Sequence, residues 1–151
     1  MTETQLATPA IKPFVMAGNA TFTAVSNVTG NRFTYRVVAP KQDRDGNPTG
    51  KDAATVRFVS VLTGPQNTND YTFIGTVFVR EQKFLPSKKS RISADSPSVK
   101  AFAWFAAHVV NGSRADACTV YHAGRCGRCN RLLTTPASIT QGIGPECAKH
   151  V

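Results

Sequence analysis

Two runs of residues, TVRFVSVL at 55–62 and YTFIGTVFV at 71–79, are the clearest strand signals in the sequence. Both are rich in β-branched and aromatic residues, and the turn-forming segment TGPQNTND at 63–70 joins them. A second pair lies upstream, where TFTAV at 21–25 and RFTYRVVA at 32–39 flank a turn. Apolar residues alternate in these runs with a period of two, which predicts the strands of an antiparallel sheet.

One long amphipathic helix is predicted after the strands. The segment DSP at 95–97 supplies a capping side chain followed by a proline that suits the first helical turn. Five apolar residues then recur three or four apart: Val99, Phe102, Phe105, Ala106 and Val109. This spacing is typical of a helix with one buried face, and NG at 111–112 is a stop signal.

These elements indicate the α+β class, with an antiparallel β-rich body, one long amphipathic helix and a small C-terminal zinc-knuckle module. Three regions are expected along the chain. Residues 1–13, rich in Thr, Ala and Pro, are predicted to form a flexible N-terminal arm. Residues 14–112 are the β-rich α+β body, and residues 113–151 are the zinc-binding module.

The composition excludes several classes of protein. The chain has 151 residues and is 41% hydrophobic, and no stretch approaches the roughly 20 apolar residues that cross a bilayer. The N-terminus lacks a secretory signal, so we expect no membrane partner and a cytoplasmic location, in the host cell if a phage encodes the protein. Four cysteines are too few for a disulfide scaffold in a chain of this length.

The net charge is the unusual property of this chain. Eighteen Lys and Arg against nine Asp and Glu leave a formal net charge of +9. Residues 80–131 contain ten of the basic residues and three of the acidic ones, a net +7. Such an excess favours a polyanionic partner, nucleic acid first, although general solubility is the simpler explanation.

Three of the four cysteines lie in the last 26 residues, at a spacing typical of small zinc modules. Cys126 and Cys129 form a Cys-x-x-Cys pair, and we name the chain from Cys126 to Cys129 the knuckle. Cys147 follows after 17 intervening residues. A structural zinc site needs four ligands. His150 makes a Cys-x-x-His pair with Cys147, and His122 lies four residues before the first cysteine, so either can complete the site.

The same segment carries three motifs in a fixed order: HAGRCGRC at 122–129, RLLTTPASI at 131–139 and GIGPEC at 142–147. In these motifs the chain resembles a family of small, uncharacterised zinc-binding C-terminal domains of phage and actinobacterial proteins. The resemblance covers about 30 of the 151 residues. It implies zinc (Zn2+), a phage or mobile-element setting, and His122 rather than His150 as the fourth ligand, but no established activity.

Other interpretations of the cysteines are weaker. A redox Cys-x-x-Cys pair normally precedes a long helix, whereas Asn130, Arg131 and a turn follow this one. Asn130 stands where the similar family usually has a glycine, which can alter the turn but removes no ligand. Cys118 is more remote and is expected to be a small buried hydrophobic residue.

Six basic residues form the predicted nucleic-acid-binding set: Arg125, Arg128 and Arg131 around the knuckle, and Lys88, Lys89 and Arg91 before the helix. A bound metal would hold the three arginines close together, and arginines on a rigid loop suit bidentate contact with phosphate. The alternative is that they balance the thiolate charge and pair with the body. For the three residues before the helix, the alternative is a solvated loop.

The sequence shows no catalytic motif: no Ser-His-Asp set, phosphate-binding loop, paired carboxylates or dinucleotide-binding loop. Glu146 adjoins a cysteine ligand but lacks the His-x-Glu arrangement of zinc deaminases. We therefore predict a non-enzymatic, phage-type accessory protein with a structural zinc site that binds DNA or RNA through a basic face. The alternative is a protein-interaction or inhibitor module that targets a host or phage protein, with zinc purely structural.

Overall fold

The computed structural model describes residues 4–65 and 70–150, and in these ranges seven of nine strands form one antiparallel sheet. The strands are β1 (Thr4–Gln5), β2 (Asn19–Ser26), β3 (Arg32–Val38), β4 (Lys41–Gln42), β5 (Pro48–Thr49), β6 (Val56–Leu62), β7 (Tyr71–Phe78), β8 (Lys83–Pro86) and β9 (Cys118–His122). Their order in the large sheet is β1-β9-β2-β3-β6-β7-β8, and β4 pairs with β5 in a separate hairpin. The predicted α+β class with an antiparallel sheet is confirmed.

The helices are short. They are α1 (Ile11–Val15), α2 (Pro97–Trp104), α3 (Pro136–Gln141) and α4 (Pro145–Ala148), with single 3-10 turns at Thr8–Ala10 and Ala115–Ala117. The predicted long helix begins at Pro97, but only its first eight residues are α-helical. A π-helix, Phe105–Val110, continues it directly, so the element differs from one regular α-helix.

The hydrophobic core lies between one face of the sheet and this helical segment. The ring of Tyr35 on β3 lies 4.9 Å from that of Phe102, and the ring of Phe22 on β2 lies 5.7 Å from that of Phe105. The buried Tyr35 hydroxyl donates a hydrogen bond to the Ser98 carbonyl at 2.7 Å, which satisfies its only polar atom. Alternation along the strands therefore directs one set of side chains to the helix and leaves the other set on the opposite face.

Residues 4–13 belong to the fold and differ from the predicted flexible arm. β1 pairs with β9, and Leu6, Ala10 and Ile11 are buried in the core. The prediction of a flexible arm followed from the Thr- and Pro-rich composition. It gave no weight to these few apolar side chains, which are buried in the core. Residues 1–3 of the predicted arm lie outside the described residues.

The predicted boundary at residue 113 also differs from the structure, because β9 lies inside the sheet between β1 and β2. Val120 on this strand is buried in the core. The Thr119 hydroxyl donates a hydrogen bond to the Asn27 side-chain oxygen at 2.8 Å, which ties β9 to the turn after β2. β9 thus completes the sheet of the body, and the three cysteines that follow it form a small module. Within the described ranges, no helix is both long enough and apolar enough to cross a membrane.

Candidate metal centre

Three thiols form a compact buried group in residues 123–150, the part of the chain after β9, which we name the cysteine segment. The sulfur atoms of Cys126, Cys129 and Cys147 all lie within 4.8 Å of one another, and the three residues are buried. All four cysteines of the chain are free thiols. Sulfur atoms brought this close can bind a metal ion together.

A tight turn brings the first two cysteines together. The Cys126 N–H donates to the Arg131 carbonyl at 2.8 Å, and the Asn130 N–H donates to the Cys126 carbonyl at 2.9 Å. Asn130 has a φ of +66°, in the left-handed region that glycine adopts freely and asparagine tolerates. Asparagine therefore preserves the turn at the position where the similar family usually has glycine.

Two glycines allow this turn to pack against the core residue Phe14. A Cβ atom at Gly127 would lie 2.8 Å from Phe14 Cδ1, closer than real Cβ contacts occur. Gly142 has a φ of +73°, and a Cβ atom there would collide with the same ring. The cysteine segment and the body therefore meet at the ring of Phe14, which contacts both Gly127 and Gly142.

The third cysteine reaches the group through α3 and α4. The Thr135 hydroxyl accepts a hydrogen bond from the Ser138 N–H at 3.4 Å and caps the start of α3. Gly142 ends that helix in the left-handed conformation. Pro145 begins α4, and this short helix carries Cys147 back to the knuckle.

Hydrogen bonds to sulfur favour a thiolate at Cys126. The backbone N–H groups of Arg128 and Gly144 each donate to Cys126 Sγ at 3.4 Å. Burial raises the pKa of Cys126, but these bonds and one from the Cys129 backbone outweigh burial and lower it overall. Burial raises the pKa of Cys147, and the neighbouring thiols act in the same direction. Amide groups directed at a sulfur are the usual surroundings of a thiolate metal ligand.

His122 lies apart from the three sulfurs. Its Nδ1 accepts a hydrogen bond from the Gly124 N–H at 3.0 Å, so its Nε2 carries the proton and donates to the Ile139 carbonyl at 2.6 Å. The ring is buried, with its centroid 5.6 Å from that of Phe14. Burial lowers the pKa of His122, which keeps the ring neutral. The predicted fourth ligand serves in this structure as a link between β9 and α3.

The other two candidate side chains have different surroundings. His150 is exposed in the turn after α4, where its N–H donates to the Cys147 carbonyl at 2.9 Å. Cys118 lies at the far end of β9 and is half-buried, and burial raises its pKa. Cys118 is therefore no part of the sulfur group.

The turn of the β4–β5 hairpin covers the knuckle, a role that the sequence analysis missed. The Asp43 carboxylate accepts a hydrogen bond from the Asn47 N–H at 3.0 Å, and this bond is the main reason for the lowered pKa of Asp43. A Cβ atom at Gly46 would lie 2.5 Å from the Cys129 carbonyl oxygen, so the two backbones touch. The segment DRDGNP at 43–48 signals a turn, but no local pattern shows what a turn packs against.

Each of the three knuckle arginines has a partner inside the protein. Arg128 Nη1 donates to the Asn47 side-chain oxygen at 3.0 Å and lies 3.8 Å from Cys147 Sγ. The guanidinium of Arg128 is thus directed at the sulfur group, as the charge-balancing alternative expects.

The remaining two arginines are exposed and more weakly held. Arg125 Nη1 donates to the Asn130 carbonyl at 3.1 Å. Arg131 Nη2 lies 3.9 Å from an Asp45 carboxylate oxygen on the hairpin turn, in a pair that is exposed on both sides. Such a pair contributes little to stability.

The second predicted basic group lies near the opposite edge of the sheet. Lys88, Lys89 and Arg91 are exposed in the loop after β8, the edge strand. Strands β2, β3, β6 and β7 separate β8 from β9, which leads into the knuckle. The six predicted residues therefore form two groups, one toward each edge of the sheet.

Comparison with known proteins concerns the C-terminal segment. Residues 117–151 match the model of a family of unknown function, DUF6011. The match begins next to β9 and includes the three grouped cysteines, in agreement with the predicted resemblance to a small uncharacterised C-terminal domain family. Neither a search of curated proteins nor a search of solved structures gives a significant match.

Proposed function

We propose that this chain is a non-enzymatic, phage-type accessory protein that binds nucleic acid and is stabilised by a structural zinc ion. The observation that carries the nucleic-acid part is the exposure of Lys88, Lys89 and Arg91 together in one loop at the edge of the sheet. The seven strands of this sheet contain four basic residues and no Asp or Glu. An exposed basic loop beside a sheet without acidic residues suits a phosphate backbone.

The sulfur group supports zinc as the metal. Cys126, Cys129 and Cys147 offer soft sulfur ligands, and the backbone N–H groups that surround Cys126 suit a thiolate. Zinc bound there would be structural, because it would join the knuckle to α4 through buried cysteines.

For the fourth ligand, we propose His150 in place of the predicted His122. Coordination through Nδ1 of His122 would break its buried hydrogen bond from Gly124, and coordination through Nε2 would break the one to Ile139. His150 is exposed and follows Cys147 by three residues, the same spacing as between Cys126 and Cys129, so its coordination would cost no buried hydrogen bond.

The zinc proposal is tested by metal analysis of purified variants. We expect one zinc per wild-type chain, none in Cys129→Ser, and the wild-type content in the matched control Cys118→Ser. We expect zinc affinity to fall more in His150→Ala than in His122→Ala. Full zinc content in Cys129→Ser would refute the site, and the reverse order of the two histidine variants would restore His122 as the ligand.

The nucleic-acid proposal is tested by titration of labelled single- and double-stranded DNA and RNA at low and moderate salt. The charge reversals Lys88→Glu, Lys89→Glu and Arg91→Glu are made together, with Arg125→Glu plus Arg131→Glu as the comparison. We expect binding that weakens with salt and is lost mainly in the first variant, because each phosphate contact contributes a slope of about −0.7 to −0.9 in log affinity against log salt. No binding at low salt, or binding indifferent to salt, would exclude the proposal.

A protein-interaction or inhibitor module is the second candidate, and one feature favours it. A largely apolar cavity of about 460 Å³ opens between the β2–β3 turn and α2, next to Val28 and Trp104. These two side chains are 79% and 41% exposed. A host or phage protein held there would stay bound after nuclease treatment and would be released by Trp104→Ser, but not by reversal of the basic loop.

A further inference from the structure

The face of the sheet opposite α2 carries exposed aromatic side chains. On β6, Val59 and Val61 are buried beneath the helical segment, and Phe58, next to Val59 in the strand, points to the other face. Phe58 and Phe73 on β7 are each 38% exposed. We name this surface the open sheet face and define it by Arg36, Phe58, Tyr71, Phe73, Lys83 and Leu85.

The two phenylalanines form a pair across neighbouring strands. Their ring centroids are 5.9 Å apart and their planes meet at 88°, so the edge of one ring meets the face of the other. The pairing of β6 with β7 shifts between Val59 and Ser60, where the chain has an irregularity. Beyond that shift Ser60 is opposite Phe73, which brings this ring beside Phe58.

A second aromatic unit lies on the same face, where Arg36 on β3 reaches Tyr71 on β7 across β6. The Arg36 guanidinium lies 4.0 Å from the centre of the Tyr71 ring. This cation–π pair places a guanidinium and an aromatic ring together on the sheet, and such groups stack on nucleobases.

The basic loop is attached directly to this face. The Ser90 hydroxyl donates to the Phe73 carbonyl at 2.6 Å, and the Ser87 N–H donates to the Ile74 carbonyl at 2.9 Å. These bonds hold Lys88 and Lys89 at the margin of the aromatic pair. Lys83 and the 45% exposed Leu85 lie on β8, the edge strand that pairs with β7 and leads into the loop.

The charge and the aromatic rings identify the occupant. The seven strands contain no Asp or Glu, and the acidic residues Asp70 and Glu81 lie outside β7 and β8, in the segments that precede them. A polyanion therefore meets cations on the strands and in the attached loop. Its bases must be unpaired to stack on protein rings, because the bases of a duplex are stacked on one another.

We propose that the open sheet face binds single-stranded nucleic acid, with bases stacked on Phe58, Phe73 and the Arg36–Tyr71 pair. Lys83 and the loop residues Lys88, Lys89 and Arg91 contact the phosphates. This inference rests on the proposed function for nucleic-acid binding itself. It adds the form of the nucleic acid and the surface that binds it.

The test uses oligothymidine and oligouridine with the full chain in its metal-bound form. The variant Phe58→Leu plus Phe73→Leu removes the aromatic faces but keeps apolar bulk. Trp104→Leu, an exposed aromatic outside the open sheet face, is the matched control. We expect the double variant to bind at least about tenfold more weakly, with the salt dependence of the wild type, because stacking on an aromatic ring carries no charge.

The same titrations with Lys88→Ala, Lys89→Ala and Arg91→Ala separate the two contributions. This variant is expected to lower both the affinity and the slope of log affinity against log salt, by about 0.7 for each phosphate that the protein no longer neutralises. Thermal melting of each variant shows whether it is folded.

Photocrosslinking of bromodeoxyuridine-labelled oligonucleotide to the wild-type chain needs no substitution. The tryptic peptide from Phe58 to Arg80 contains both rings, and we expect the adducts there. Adducts confined to the peptides around Arg125 and Arg131 would overturn the proposed surface.

The outcomes distinguish this inference from the proposed function. Wild-type protein that binds no nucleic acid refutes both. Wild-type binding that the double phenylalanine variant retains, or that favours duplex over single strands, refutes the open sheet face alone and leaves the proposed function standing.

Discussion

The cysteine segment and the open sheet face both carry positive charge, but they use it differently. Arg128 in the cysteine segment is directed at Cys147 Sγ and the Asn47 side chain, so its charge serves the protein itself. Lys88 and Lys89 extend from a loop that is anchored to Phe73, and both are exposed. An arginine close to a cysteine pair is therefore not by itself evidence of a phosphate site, since the partners of each cation decide what it does.

The largest effect that separates the two regions is expected from metal removal. Removal of a metal ion proposed to join the three thiols is expected to lower the free energy of unfolding by several kcal/mol, comparable with the whole stability of a small domain. Thermal melting by circular dichroism, with and without a strong chelator, measures it. A Cys126→Ser variant should no longer respond to the chelator, and an unchanged wild-type melting curve would contradict a metal-stabilised segment.

A smaller effect is expected from the contact between the cysteine segment and the core. Gly142→Ala introduces a left-handed alanine and a collision with Phe14, together about 2–5 kcal/mol in free energy of unfolding. Gly124→Ala is the matched control, because Gly124 has a φ of +85° with no atom within 4 Å of the added Cβ and should cost only about 1–2 kcal/mol. Urea denaturation measures the free energy of unfolding of both variants. Equal losses would show that the contact with Phe14 does not contribute to the cost of Gly142→Ala.

The cysteines themselves sharpen the comparison through their reactivity. Burial raises the pKa of Cys118, so less of it is thiolate at pH 8 than in an unfolded chain, and alkylation by iodoacetamide should be slower. Its rate should rise about tenfold per pH unit below that pKa. Mass spectrometry of the metal-bound protein should find modification at Cys118 alone, with three further sites after chelation. Early modification of Cys126 in the metal-bound protein would argue that Cys126 is not a ligand of the metal ion.

The smallest effect is expected at the exposed pair between Arg131 and Asp45. At 3.9 Å and open to solvent on both sides, this pair should contribute less than about 0.5 kcal/mol to stability. A double-mutant cycle with Arg131→Ala and Asp45→Ala, read by urea denaturation, measures it. A coupling several times larger would mean that the hairpin turn is an energetic part of the cysteine segment.

Local patterns predicted the local structure well. The runs at 55–62 and 71–79 form β6 and β7, and the upstream pair forms β2 and β3, because alternation and turn residues act over a few positions. The grouping of Cys126, Cys129 and Cys147 also follows from their spacing in the sequence.

Contacts between distant segments could not be predicted in this way. β1 has only two residues, and nothing in their pattern shows that they pair with β9. The packing of Gly46 on the Cys129 carbonyl, and the two hydrogen bonds that occupy His122, depend on the tertiary fold. The π-helical turn at Phe105–Val110 likewise departs from the regular spacing of its apolar residues.

The position of β9 between β1 and β2 has a consequence for how the chain folds. Asn27 and Thr119 are hydrogen-bonded across 92 residues of sequence, so this part of the sheet closes only when two distant segments of the chain meet. Folding limited by such distant pairing is slow compared with that of local hairpins. During synthesis, one edge of β2 would stay unpaired until β9, which ends at residue 122, has left the ribosome, and an unpaired strand edge is a site of aggregation.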